Sequence, residues 1–193
     1  MNKIIKNMLE RRSIRKYRPE QITQEELKAI LEAGLHAPNA GGNQSAIIVA
    51  CQNAELNEEL GKISRQVESL GKVRLGRVSA EQPSILDDEN IRSGFYGAPT
   101  VITLFAKKDS YTLSGDCFMA AENIVLAAHS LGIGSCVVCR AGITFNTERG
   151  MEIQRNWGIG EEYKARIHVT LGYPDGNMPS YKPRKENRVI VVD

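Results

Sequence analysis

The sequence predicts an α+β fold built round a central sheet. Two observations carry that reading. Helical and strand-like apolar patterns follow one another without strict alternation, which argues against a doubly wound parallel sheet. The chain has 193 residues, 41% hydrophobic and 25% charged, which is enough apolar material for one ordinary core and too much for a disordered chain. No internal repeat or low-complexity linker divides it, so residues 1–193 read as a single domain.

The elements follow in order. Ile4, Ile5, Met8 and Leu9 form one stripe, predicting a helix over Lys3–Glu10. Thr23-Gln-Glu-Glu26 is a capping box, and Leu27, Ile30, Leu31 and Leu35 follow it at helical spacing until Pro38 closes that region. Asn39-Ala-Gly-Gly-Asn43 reads as a loop, and Ala46–Cys51 as a buried strand. Leu56, Leu60, Ile63, Val67 and Leu70 mark another helix. Gly71–Gly97 is polar and without clear period, an excursion or lid.

Thr100–Phe105 is a second strand. Gly115–Leu131 is helical and apolar almost all round (Phe118, Met119, Ile124, Val125, Leu126), so it is expected to lie centrally or against another chain. Ser135–Cys139 is a third strand, Thr147–Trp157 a helix and Lys164–Leu171 a further strand. The tail Val189–Val192 is a strand candidate. Placed after a long basic segment, it is able to reach a partner subunit's sheet.

Composition removes several classes of function. Lys plus Arg number 25 and Asp plus Glu 23, a net charge of +2, which does not suit a chain built mainly as a basic nucleic-acid binder. The longest apolar run, Ala46–Cys51, is far short of a membrane span. The start, Met1-Asn-Lys-Ile-Ile-Lys6, alternates charged with apolar residues and has no signal-peptide pattern. Four cysteines lack the density of a small secreted domain, so a cytoplasmic, reducing setting is expected.

Cys136-Val-Val-Cys139 has redox or zinc spacing. No second pair completes a zinc site, and on a strand positions three apart face opposite ways, so the structural reading is preferred. His36, His129 and His168 are far apart with no ligand spacing, and no metal site is expected.

The charge is balanced overall but unevenly spread. Residues 1–18 hold Lys3, Lys6, Arg11, Arg12, Arg15, Lys16 and Arg18 against Glu10 alone, and Lys182-Pro-Arg184-Lys185 forms a second cluster. Guanidinium forks beside the Ser13 hydroxyl match the oxygens of a phosphate, if the fold joins the two ends. A solvated charge run, or a nucleic-acid or protein patch, is the competing reading. There is no G-x-G-x-x-G, P-loop or G-x-S-x-G. With so few candidate acids and bases, any chemistry belongs to a cofactor.

In order and spacing, five motifs resemble the nitroreductase family of FMN-dependent NAD(P)H oxidoreductases. They are Arg11-Arg12-Ser13-Ile-Arg15-Lys-Tyr17, Ala37-Pro38-Asn39-Ala40-Gly-Gly-Asn43-Gln44, Tyr96-Gly-Ala-Pro99, Leu131-Gly-Ile-Gly-Ser-Cys136, and Leu171-Gly-Tyr-Pro174 leading to Lys182-Pro-Arg184. The resemblance implies an FMN-binding domain with a mixed, mainly antiparallel sheet flanked by helices. It also implies a homodimer with C-terminal strand exchange and FMN at the interface.

By that resemblance Arg11, Ser13 and Arg184 hold the FMN phosphate, with Arg12 and Lys182 flanking it. Arg15 stands beside flavin N1 and O2. Pro38, Asn39, Ala40 and Asn43 belong to the loop lent by the opposite subunit. Val138, Cys139 and Arg140 pass the ring with a backbone N–H toward N5, and the Cys139 side chain is expected to pack. The implied reaction takes hydride from NADH or NADPH and reduces a flat small-molecule electron acceptor, such as a nitroaromatic or quinone, by a ping-pong route. No catalytic side chain, nucleic acid or membrane is involved.

Two departures stand out: Ser45-Ala46 where many members carry Pro-Trp, and Val137 where others carry Trp. Both remove bulk near the flavin. Two other readings remain open at this point, a non-catalytic flavin-binding or sensing protein of the same fold and a nucleic-acid-binding regulator using the basic N-terminus.

Overall fold

Four strands form one sheet in the order β1-β2-β4-β3, every neighbouring pair antiparallel. They are β1 (Ile47–Cys51), β2 (Thr100–Lys107), β3 (Gly134–Val138) and β4 (Tyr163–Gly172). The computed structural model describes residues 1–66, 78–108 and 113–192. The helices are α1 (Lys3–Glu10), α2 (Gln24–Leu35), α3 (Ala54–Gln66), α4 (Leu113–Ser130), α5 (Ala141–Thr144) and α6 (Glu148–Asn156). This is the α+β class expected from the sequence.

Local chemistry accounts for the helix starts. The Asn2 side chain accepts from Ile4 N at 2.8 Å and begins α1. Thr23 and Glu26 exchange backbone and side-chain bonds (2.8 and 3.2 Å) in a complete capping box at α2. Thr147 caps α6 through Gly150 N.

Period-two alternation in the strands then divides the interior. Ile102 and Leu104 of β2, with Ile167 and Val169 of β4, face α2 and α4, where Ile30, Ile124 and Val125 complete one core. Val101 and Phe105 of β2, with Ala165 of β4, face the other way onto Leu60, Phe145 and Ile153 of α3 and its neighbours. A register shift at Leu104/Phe105 accompanies this division.

Several expectations are corrected. The Ala46–Cys51 strand is an edge strand, β1, paired on one side only, so only Cys51 is buried and the rest is half-buried. The third strand ends at Val138, and Cys139 is exposed rather than packed, because the chain has already turned toward α5. Cys136 is buried, so the two thiols face different surroundings. The tail Val189–Val192 forms no strand within a single chain, and each residue is at least 80% exposed. Val67, Leu70 and residues 71–77 lie outside the described residues.

The feature that positions the site is a short segment after α1. Ile14, 1% exposed, packs under the edge strand β3, and its N–H bonds Ser135 O at 2.9 Å. Ser13 bridges Ser135 in parallel, and Tyr17 bridges Pro174 beyond β4. The arginine-rich segment is thereby laid along the open edge of the sheet.

Candidate functional site

A cavity of about 340 Å³ opens beside that edge, lined by Arg11, Arg12, Ser13, Arg15, Lys182 and Arg184. Val78–Ala80 and Pro179–Tyr181 close its other walls, and no carboxylate stands among the described lining residues. Cations from both ends of the chain therefore surround one space.

Each is held differently. Arg12 donates to the Leu9 and Arg11 carbonyls (2.7 and 2.8 Å), where it also faces the negative end of α1. Its guanidinium lies over the Tyr181 ring, and Arg184 lies over the same ring. Lys182 Nζ donates to Val78 O. Arg15 donates from Nη1 to Gln82 O at 3.2 Å and sits above Tyr96 at 5.9 Å. Its Nε is buried without a partner among the described residues, as is the Ser135 hydroxyl.

The phenols and thiols near the cavity stay neutral near pH 7, whereas Glu81, which accepts from the lining Ser79 hydroxyl at 3.0 Å, is held below its ordinary value chiefly by a backbone bond. Burial pushes the Tyr17 phenol well up, with Cys136 adding to the effect, and burial likewise raises the Tyr96 phenol. Burial raises the Cys136 thiol. Positive charge accordingly dominates the cavity. The wall at residues 78–88 is built round Asp87, which accepts from the N–H groups of Val78, Ser79 and Ser84. Burial pushes that carboxyl up, but these bonds together hold it below its ordinary value.

Arg15 also lines a second cavity of about 330 Å³, with Lys16, Glu58, Asp88 and Tyr96 around it. Tyr96 adopts φ +59°, a left-handed backbone that a bulky residue rarely takes. A separate cleft of about 110 Å³ near Asn146 and Met151 shares no residue with either.

The remaining predicted residues are placed elsewhere. Pro38 and Asn39 line a small cavity of about 90 Å³ with Ala46 and Asp116, and Asp116 Oδ1 accepts from Ala40 N at 3.0 Å. Asn43 is exposed in the same loop. Within one chain this loop does not line the cationic cavity. Val138 is buried at the end of β3, and Arg140 reaches away to donate to Ser64 O at 2.6 Å.

His168 is buried in β4 against Thr103, while His36 caps α2 and His129 lies on α4. No group of three or more His, Cys, Asp or Glu among the described residues is placed to hold a metal. Sequence reasoning missed Gln82, Tyr181 and Ser135. Tyr181 carried a signal, an aromatic directly before the Lys182–Arg184 cluster; Gln82 carried none.

The fold is α+β, and it brings residues 11–15 and 182–184 round one cationic cavity. Residues 8–173 match the Nitroreductase family. The chain is 27% identical over 194 residues to the NADPH-flavin oxidoreductase of Vibrio harveyi, spanning 99% of this chain and 73% of that protein. It is similar to a nitroreductase with bound FMN from Bacteroides fragilis (TM-score 0.85, 27% identity, 100% of both chains). A nitroreductase with bound FMN from Desulfitobacterium hafniense is similar too (TM-score 0.83, 27% identity, 100% of both chains). The chain belongs to the nitroreductase family.

Proposed function

We propose that this chain is an FMN-dependent oxidoreductase that draws hydride from NAD(P)H and passes electrons to a flat acceptor such as a quinone or nitroaromatic, its two substrates using one site in turn. The observation that carries the reading is the convergence of Arg11, Arg12, Arg15, Lys182 and Arg184 on one cavity. A doubly charged phosphate needs several forked donors, and this set supplies them with a hydroxyl from Ser13. Arg15, which lines the cavity, keeps its buried Nε without a partner among the described residues, a donor the protein itself leaves unused. The residues present therefore fit FMN.

FMN, when bound, supplies the hydride and electron chemistry. The protein's part is binding and electrostatics. Arg11, Ser13 and Arg184 would hold the phosphate, with Arg12 and Lys182 beside them. Arg15, one donor of which is held by the Gln82 carbonyl, would favour negative charge at the N1–O2 edge. The neutral thiols and phenols nearby add no competing charge. The residues after Val138 would offer backbone N–H groups to the ring.

The second part of the proposal is a homodimer. Ile4, Ile5, Met8 and Leu9 of α1 are all more than half exposed, and Phe118 and Met119 on α4 nearly so. Val189–Val192 of the tail are each at least 80% exposed, and apolar side chains left open in this number suit burial against a second copy. The Pro38–Asn43 loop would then reach a partner's flavin. No helix among the described residues is long and apolar enough to cross a membrane.

Purified protein is expected to carry a yellow chromophore that NADH or NADPH bleaches anaerobically. A colourless protein that added FMN does not reconstitute overturns the reading.

A further inference from the structure

Gln82 ties the two halves of the cationic cavity together. It lies in the irregular segment between α3 and β2 and is fully buried. Its Oε1 accepts from the backbone N–H of Arg15 and of Lys16, each at 2.7 Å. Its Nε2 donates to Asp175 O at 2.8 Å and Asn177 O at 3.2 Å.

A primary amide offers two donors and an oxygen that accepts twice, and here all four are used. Two N–H partners on one side and two carbonyls on the other fix which end is oxygen and which nitrogen. The Gln82 backbone carbonyl meanwhile accepts from Arg15 Nη1. One residue therefore joins the N-terminal arginine segment to the stretch that leads into Lys182 and Arg184.

We propose that Gln82 is a positioning residue for the flavin. It sets the spacing between the two halves of the phosphate clamp and aims the Arg15 guanidinium. This rests on the FMN reading above. No other side chain substitutes. Leucine fills the space but orphans two N–H groups and two carbonyls. Asparagine is one methylene short. Ionised glutamate keeps the N–H acceptor but turns an anionic oxygen toward two carbonyls, beside a site meant for an anion.

The test compares wild type with Gln82→Ala and Gln82→Glu. FMN affinity of the apo-protein is read by flavin fluorescence quenching, the midpoint potential by anaerobic dye titration, and folding by circular dichroism. With Gln82→Glu folded at pH 8, FMN affinity is expected to fall about ten- to hundredfold, the range seen when outer partners of binding groups are lost. The midpoint potential is expected to move downward as Arg15 loosens. Lowering the pH through the glutamate's titration restores a donor, so affinity recovers relative to wild type; a merely structural residue does not produce that profile.

Wild-type affinity and potential in a folded Gln82→Glu overturn the proposal while leaving the FMN reading intact. Loss of fold in both variants overturns it in favour of a purely structural role. Failure of the wild-type chain to bind FMN overturns the functional reading itself.

Discussion

The Arg12 guanidinium stands 5.2 Å from the ring centroid of Tyr181, and Arg184 shares that ring at 5.9 Å. Opposite ends of the chain thus meet on one aromatic platform at the rim of the cavity. An exposed cation–π contact contributes about 0.5–1 kcal/mol. Tyr181→Ala is expected to weaken FMN binding about two- to fivefold, and Tyr181→Phe to leave it unchanged, in a fluorescence titration. A Phe variant as weak as the Ala variant shows that the ring's stacking is not what matters.

Removing either end of the clamp should have a similar effect. A hydrogen bond to a charged group contributes about 1.5–3 kcal/mol. Arg11→Ala and Arg184→Ala, made separately, are each expected to weaken FMN retention about ten- to hundredfold. Equilibrium dialysis of each variant checks this. If only one responds, the two ends do not grip the same phosphate.

Gly134 is where the arginine segment approaches the sheet. A Cβ there meets Ile14 side-chain atoms at 2.9–3.0 Å. The β-branched Ile14 is itself buried and cannot withdraw easily. Gly134→Ala is expected to destabilise by about 1–3 kcal/mol and to lower FMN affinity, because Ser13 and Arg15 move with Ile14. Urea unfolding with FMN titration on the same variant measures both. A stability loss with unchanged affinity separates the packing from the site.

Acid stability should carry the mark of His168. Burial holds its imidazole down to about 3 in the folded protein, against an ordinary value of 6.5. Between those values the unfolded chain binds a proton that the folded chain refuses. Stability therefore falls as pH drops below about 6.5, by up to about 1.4 kcal/mol per pH unit. His129, also held down by burial and by Arg11, contributes in the same direction. Urea unfolding from pH 7 to 5 is expected to show this slope in the wild type and to retain most of it in His129→Gln. A flat profile means His168 is not held neutral by folding.

The exposed apolar stripe of α1 gives a direct test of assembly. Ile5→Glu and Phe118→Glu place charges on the faces assigned to the dimer. Each is expected to shift the protein toward monomer in sedimentation and to lower FMN retention, since the Pro38–Asn43 loop no longer reaches a neighbour. A wild-type monomer that retains FMN shows that one chain suffices.

How much was legible in the residues can be stated element by element. The Lys3–Glu10 stripe acts within about two helical turns and the Thr23–Glu26 box within one, so α1 and α2 begin where expected. The strands were legible to within a few residues, because β-branched runs bounded by glycine and proline are local signals. The clamp residues were legible as unusual charge and as a family resemblance. The burial of β1 was not, because edge position depends on strand order, and neither was the exposure of Cys139 just past a strand end.

By itself, the sequence determined the class of fold, the helix starts and which cations are available, since all of these follow from residues a few positions apart. Only the tertiary structure decided that those cations share one cavity and that Gln82 fastens it. Its bonds to Arg15 and Asp175 join residues 67 and 93 positions away. Such side-chain to backbone bonds leave no periodic trace in a sequence, because any buried amide meeting the right N–H and carbonyl groups can make them.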